Sequence, residues 1–140
     1  MQNAADVTTV AHVIQLAVAP VFLLTGVGAI LSVITNRLAR IVDRSRELSS
    51  SADQKLYSQE MAMLARRARW VQWAVSLCTM SALLICIVIA ALFVGSVMSI
   101  DPSSAVSLLF ILAMLTLISG LLCFLREVFL AMGNFSIGKR

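Results

Sequence analysis

An uncharged stretch decides the fold: residues 70–100 have the sequence WVQWAVSLCTMSALLICIVIAALFVGSVMSI. The stretch is thirty-one residues long, whereas a helix needs about 20 predominantly apolar residues to cross a bilayer. Two more uncharged runs lie on either side of it, thirty residues at 7–36 and twenty-four at 102–125. The sequence therefore predicts an all-α integral membrane protein, a single membrane domain over residues 1–140 with three transmembrane helices. The predicted spans are about 13–35, 71–99 and 104–125.

Composition excludes a water-soluble domain. Hydrophobic residues make up 60% of the chain and charged residues 13%, and the mean hydropathy is +0.95, against about 45–50% apolar and about 25% charged in soluble domains. The first run is unlike a secretory signal, because a signal has basic residues before its apolar core and the only charge before Arg37 is Asp6. Pro20 also follows directly after the Ala17–Ala19 stretch that would otherwise suit cleavage. We therefore expect the first span to be retained.

The basic residues all fall on one side of the predicted spans. Eight of the eleven lie between residues 36 and 70, three follow the third span, and none lies in the N-terminus or at the Asp101–Pro102 loop. Because Lys and Arg near short loops stay in the cytoplasm, we expect the N-terminus and the second loop outside, and the first connection and the C-terminus inside. The net charge of +4 is then a signal of topology, and it gives no reason to predict nucleic-acid binding.

The connection between the first two spans has a helical pattern of its own. After Arg37, apolar residues continue at helical spacing as far as Leu48, and three serines at 49–51 then interrupt the helix. The pair Ser51 and Gln54 matches a capping box that begins the next helix. Apolar residues then recur at intervals of four, three, four and three: Tyr57, Met61, Leu64, Ala68 and Val71. This seam predicts a cytoplasmic antiparallel helical hairpin at about 36–70 that extends the first two transmembrane helices.

Three stretches carry a resemblance to a known family. They are NRLARIVDR at 36–44, PVFLLTGVG at 20–28, and the Arg126–Glu127 pair that closes the third uncharged run. Together they resemble a family of small bacterial membrane proteins known as domain of unknown function 2721, and the resemblance covers nearly the whole chain. It implies a three-span protein of the bacterial inner membrane, with a periplasmic N-terminus and a cytoplasmic C-terminus on the charge argument above. It implies no activity, substrate or cofactor.

No set of residues in the sequence indicates catalysis or metal binding. The three cysteines lie inside predicted spans, where a thiol behaves as a small apolar side chain. Cys78 and Cys86 are eight residues apart, which places them about 80° and about 12 Å from each other on a helix. The single histidine, His12, belongs at the outer end of the first span, and no carboxylate accompanies these residues. We expect a protein without enzymatic activity, cofactor or metal.

A basic stripe follows the first span. Arg37, Arg40 and Arg44 lie at positions i, i+3 and i+7, within about 60° of one another on a helix. The stripe has three interpretations: a solvated face that also touches anionic headgroups, a binding surface for an acidic partner, and an anion vestibule.

A second, weakly polar stripe lies within the first span itself. Thr25, Ser32 and Asn36 share one face there, and the third span presents a similar stripe at Ala113, Thr116, Gly120 and Cys123. Small and weakly polar stripes let helices approach closely, so we interpret them as packing surfaces inside the bundle or onto a second copy. The alternative is that the stripe lines a pore in an oligomer. The absence of an ionisable residue at mid-membrane argues against this alternative.

Glu127 requires a basic partner at the inner membrane surface. It follows Arg126 at the end of the third predicted span, where the partial negative charge of a helix C-terminus disfavours an acid. Arg126 cannot serve well, because adjacent helical residues point about 100° apart. Counted from the ends of the uncharged runs, Arg37 and Arg69 lie at the same depth in the membrane as Glu127, so either is a predicted partner.

Two functional classes are compatible with the sequence. The first is a non-enzymatic, homo-oligomeric scaffold or interaction protein that acts through the cytoplasmic hairpin; the alternative is an oligomeric ion-conducting pore. The expected partners are the lipid bilayer with its anionic headgroups, further copies of the chain, and an unidentified cytoplasmic or membrane protein.

Overall fold

The computed structural model describes residues 1–50 and 54–137, with the side chains of 1–50 and 58–133. These residues form three long helices: α1 at Gln2–Ser49, α2 at Gln54–Met98 and α3 at Ser103–Ile137. All three are long and apolar enough to cross a membrane, in agreement with the three predicted spans. With 48, 45 and 35 residues they measure about 72, 68 and 52 Å, so each is longer than a hydrocarbon core of about 30 Å.

Buried positions recur every seven residues on each helix, which is the spacing of left-handed helix packing. On α1 the buried series is Val13, Pro20, Val27, Ile34 and Ile41. On α2 it is Leu64, Val71, Cys78 and Ile85, and on α3 it is Ala113, Gly120 and Glu127. The middle helix packs along both of the others, whereas α1 and α3 contact each other little. The core therefore lies along α2, and one of its positions is held by a carboxylate.

The segment that follows the first predicted span also packs against α2. Ile41 of α1 and Leu64 of α2 belong to the same core cluster as the residues deeper in the bundle. Further along, Arg44 forms ion pairs with Glu47 on its own helix, at 3.1 Å, and with Glu60 of α2, at 3.4 Å. Residues 41–44 thus lie opposite residues 60–64, with the two helices running in opposite directions.

The end of α1 falls on the serine run, as predicted. Ser49 is the last helical residue, and its hydroxyl donates to the carbonyl of Arg46 at 2.8 Å. Ser50 repeats this bond to the carbonyl of Glu47 at 2.7 Å. Ser45 makes the same bond to the carbonyl of Val42 in mid-helix, so the bonds alone do not end α1; it ends where three successive serines, which favour turns over helix interiors, follow Leu48. The predicted capping box at 51–54 and the side chain of Tyr57 lie outside the described residues.

The second loop is tight. After Met98, Ser99 takes a left-handed backbone conformation with a φ of 53°, and the N–H of Ile100 donates to the carbonyl of Gly95 at 3.1 Å. A Cβ on Gly95 would lie 2.6 Å from Cγ of Pro102, so the loop folds back onto a glycine. Asp101 caps the third helix, because the N–H of Ser103 donates to Oδ1 of Asp101 at 3.1 Å.

The third helix does not end at Arg126. It continues to Ile137, twelve residues past the predicted end of the span, because residues 128–132 are apolar and no proline follows Arg126. Glu127 is therefore well inside a helix, and the expectation that it sits at a helix C-terminus is wrong. The return of charged residues at Arg126 indicates where the chain is expected to leave the bilayer, and it does not mark the end of the helix.

Candidate functional site

Glu127 is the one charged side chain buried completely in the part of the chain that the structure describes. Its side chain is only 1% exposed, and its oxygens meet a guanidinium from each of the other two helices. Oε2 lies 3.3 Å from Nη1 of Arg37 on α1, and Oε1 lies 3.0 Å from Nη2 of Arg67 on α2. All three helices therefore meet in this triad, which supplies a direct link between α1 and α3.

The two arginines hold Glu127 from the more exposed side. Arg37 and Arg67 are 42% and 28% exposed, so water reaches the cations but not the carboxylate. Arg37 also lies over the ring of Phe124, with its guanidinium carbon 5.4 Å from the centroid, a distance suitable for cation–π attraction. The triad thus combines two charge-assisted hydrogen bonds with an aromatic contact that fixes one of the donors.

A cavity of about 340 Å³ opens beside the triad. It is lined by Arg37, Arg40, Ile41, Arg44, Leu64, Arg67 and Glu127. Four cations and one carboxylate give this lining a formal charge of +3. A cavity with that excess of guanidinium groups offers hydrogen-bond donors in fixed forks, which is the arrangement that recognises carboxylates and phosphates.

The arginines of the cavity differ in what they already bind. Hydrogen bonding to Glu47, with Glu60 adding attraction, raises the pKa of Arg44 above its usual value. Arg40 is exposed and has no ion-pair partner among the described residues. The Nε–H of Arg67 is buried and has no hydrogen-bond acceptor within the described part of the chain. The cavity therefore retains donor capacity after its internal pairs are formed.

The structure brings the predicted basic stripe to one place. Arg37, Arg40 and Arg44 all line the cavity, and Arg37 also reaches Glu127. The second partner of Glu127 is Arg67, however, and the prediction of Arg69 is wrong. Arg69 lies about 200° around α2 from Arg67 and lines a different cavity. Depth along the helix does not distinguish Arg67 from Arg69 as the partner of Glu127. Arg67, however, lies three residues after Leu64 and four before Val71, so it shares their face of α2.

The weakly polar stripe of α1 is outside the core. Thr25, Ser32 and Asn36 are all exposed, and the hydroxyl of Thr25 donates to the carbonyl of Val21 in its own helix at 3.1 Å. A Cβ on Gly26 or Gly28 would meet nothing within 4 Å. The stripe does not pack inside one chain, because the aliphatic series from Val27 to Ile41 forms the contact with α2 instead.

The corresponding stripe of α3 does pack. Gly120 and Ala113 are buried against α2, and the hydroxyl of Ser81 donates to the carbonyl of Ala113 at 2.8 Å. Cys78 lies in the same contact, where a Cβ on Gly120 would come 2.9 Å from its Sγ.

Among the described residues no three His, Cys, Asp or Glu side chains come together as a metal site would require, and the three cysteines are free thiols.

Comparison with known proteins identifies the family. A family model described as "Protein of unknown function (DUF2721)" matches residues 17–137. No curated protein and no solved structure matches the chain. The resemblance carried by NRLARIVDR and PVFLLTGVG is thereby confirmed. Because the match covers most of the 140 residues, the chain belongs to the DUF2721 family.

Proposed function

We propose that this protein is a non-enzymatic interaction protein of the bacterial inner membrane. It acts through the charged part of α1 and α2 at about 36–70, which projects into the cytoplasm as a helical hairpin, and it receives an acidic segment of a partner protein in the arginine cavity. The observation that carries the proposal is the cavity lining, four arginines around a single carboxylate. Glu127 pairs with two of these cations and Glu47 and Glu60 pair with Arg44, so the exposed guanidinium of Arg40 is open to an anion from outside.

The chemistry of the lining favours a carboxylate side chain as the group that enters. Arg40 supplies an exposed guanidinium that has no ion-pair partner among the described residues. Guanidinium groups bind carboxylates through two parallel hydrogen bonds, which adds geometric specificity to the charge attraction. The walls also include Ile41 and Leu64, which suit the aliphatic part of a Glu side chain.

An ion-conducting pore receives less support. The arginines line a cavity between α1 and α2, whereas Thr25, Ser32 and Asn36 lie on the exposed face of α1. The two groups of polar side chains therefore do not line one path. The exposed stripe instead favours contact with a second copy, because the open space beside Gly26 and Gly28 would let another helix approach closely.

The orientation of the protein is tested by reporter fusions. A reporter placed at Ser50 and another after Arg140 are expected to report the cytoplasm, and one at Ser103 the periplasm, because all eleven basic residues then lie inside. Alkaline phosphatase and green fluorescent protein at each site give complementary signals. A periplasmic signal at Ser50 would contradict both the topology and the proposed site of action.

The docking role is tested by charge reversal at Arg40. We expect Arg40→Glu to weaken binding of a fluorescein-labelled hexaglutamate peptide to the detergent-solubilised protein at least tenfold at about 0.15 M salt, because the substitution places an acid in the cavity. The same substitution should remove any protein that copurifies stoichiometrically from native membranes.

Arg46→Glu is the matched control for this experiment. Arg46 is exposed on the same helix and lies outside the cavity lining, so its reversal changes the net charge equally. Its effect on peptide binding should stay within about twofold, as expected for distant charges screened by salt. Equal weakening by the two variants would mean that only net charge matters and would overturn the cavity as the docking site.

A further inference from the structure

Two cavities adjoin on a different face of the bundle, around Trp70. One measures about 520 Å³ and is lined by Trp70, Leu122, Cys123, Leu125, Arg126 and Phe129. The other measures about 380 Å³ and is lined by Arg66, Arg69, Trp70, Trp73 and Cys123. They share Trp70 and Cys123, so together they form one groove along α2 and α3, which we call the tryptophan groove. It lies away from Arg67 and the triad, since Arg66 and Arg69 point about 100° and 200° from Arg67.

The tryptophan groove contains three cations and no carboxylate. Arg66, Arg69 and Arg126 line it, and none of them forms an ion pair within the described part of the chain. Arg126 is held over the ring of Trp70, with its guanidinium carbon 5.8 Å from the centroid. This contrasts with the arginine cavity, where Arg37, Arg44 and Arg67 all have internal carboxylates. Among the described residues, the cations of the groove therefore have no counter-charge, which leaves them available to an anion from outside.

The position of the groove along the helices indicates what kind of molecule that is. Arg66 and Arg69 come just before the uncharged run at 70–100, and Arg126 comes directly after the run at 102–125. The three guanidinium groups therefore lie at the same surface of the bilayer, where Trp side chains are also enriched. On the membrane side of the arginines the walls are apolar, and Leu122 and Leu125 are 57% and 48% exposed. An occupant must combine an anionic head with an apolar body.

We propose that the tryptophan groove binds one anionic phospholipid from the cytoplasmic leaflet. Its phosphate is held by Arg69 and Arg126, with Arg66 nearby, and its acyl chains lie along the ring of Trp73 and the side chains of Leu122 and Leu125. Basic side chains beside a membrane attract anionic lipids by about 1 kcal/mol each, and guanidinium groups add directed hydrogen bonds to phosphate. Membrane lipid is the abundant molecule at this depth, and free phosphate could not cover the apolar walls. The site is independent of the arginine cavity and of any partner docked there.

The two tryptophans make the site directly observable. Trp70 and Trp73 are the only tryptophans of the chain, and both line the groove. Phosphatidylglycerol with brominated acyl chains, added to the protein in detergent, should quench their fluorescence and saturate near one lipid per chain. Brominated phosphatidylcholine with the same chains should require at least tenfold more lipid, because its headgroup carries no net charge. Trp73→Phe isolates Trp70 and should preserve the difference.

Matched variants distinguish lipid binding in the tryptophan groove from attraction by the overall charge of the protein. Arg69→Gln and Arg126→Gln should each raise the half-saturating concentration of phosphatidylglycerol at least fivefold, whereas Arg46→Gln, outside the groove, should change it less than twofold. Circular dichroism and size exclusion of the lipid-free variants verify that they are folded. Inorganic phosphate at millimolar concentration should not displace the lipid.

Three results would overturn the proposal. Equal quenching by the two lipids would indicate a purely apolar groove. Displacement by inorganic phosphate would indicate a simple anion site. An effect of Arg46→Gln as large as that of Arg69→Gln would indicate attraction by net charge alone.

Discussion

Replacing Glu127 with glutamine is expected to destabilise the detergent-solubilised protein by about 2 kcal/mol, more than any exposed charge change in the chain. The carboxylate is buried and accepts hydrogen bonds from Arg37 and Arg67 at 3.3 and 3.0 Å. Without its charge, the two guanidinium groups face each other across a neutral amide. Breaking a fully buried pair costs about 3–5 kcal/mol, but these cations are 42% and 28% exposed, so rehydration recovers part of the loss.

A double-mutant cycle shows whether the triad acts as a unit. Combining Glu127→Gln with Arg67→Gln or Arg37→Gln should cost less than the sum of the single changes, because each second substitution removes a charge that the first left unpaired. Arg69→Gln is the matched control: it removes the same charge two residues from Arg67 but outside the triad, so its effect should add to that of Glu127→Gln. Thermal unfolding followed by circular dichroism measures all of these variants. Strict additivity with Arg37 and Arg67 would show that Glu127 has no energetic coupling to either arginine.

The features that sequence could predict are those set by local chemistry. The three spans follow from runs without charge, the end of α1 from the three serines at 49–51, and the cap on α3 from Asp101 and Pro102. Each depends on residues close together in the chain, so the hydrophobic effect or a single hydrogen bond decides it. The basic stripe at Arg37, Arg40 and Arg44 belongs to the same class, because helical periodicity alone places those side chains together.

The features that sequence missed depend on how one helix is rotated against another. Arg67 and Arg69 are equally deep, and only the rotation of α2 places Arg67 towards Glu127. The seven-residue repeat of buried positions contained this information, since it extends from Leu64 through Cys78 to Ile85 and not only along the apolar repeat at 57–71. The length of α3 was missed for another reason: charge marks where a chain leaves the bilayer, and nothing requires the helix to end there.

Gly120→Val is expected to destabilise the contact between α2 and α3 by about 2–3 kcal/mol, the upper part of the range for overpacked cores. A Cβ at this position would lie 2.9 Å from Sγ of Cys78, 3.2 Å from Cβ of Leu77 and 3.3 Å from the carbonyl oxygen of Ala74. The thiol can rotate away, but a backbone oxygen and a Cβ move only with their helix. The branched side chain therefore forces α2 and α3 apart. That separation also weakens the hydrogen bond from Ser81 to the carbonyl of Ala113.

Gly133→Val is the matched control, because it makes the same substitution in α3 at a position where a Cβ meets nothing within 4 Å. Thermal unfolding of the two variants in detergent should differ clearly, with Gly133→Val close to wild type or more stable, since Gly is a poorer helix former than Val by a few tenths of a kcal/mol. Adding Cys78→Ala to Gly120→Ala removes the sulfur at the closest contact and should recover part of the loss seen with Gly120→Ala alone. Similar unfolding temperatures for Gly120→Val and Gly133→Val would mean that α2 and α3 do not approach each other at Gly120. The small-residue stripe of α3 would then have no packing role within the chain.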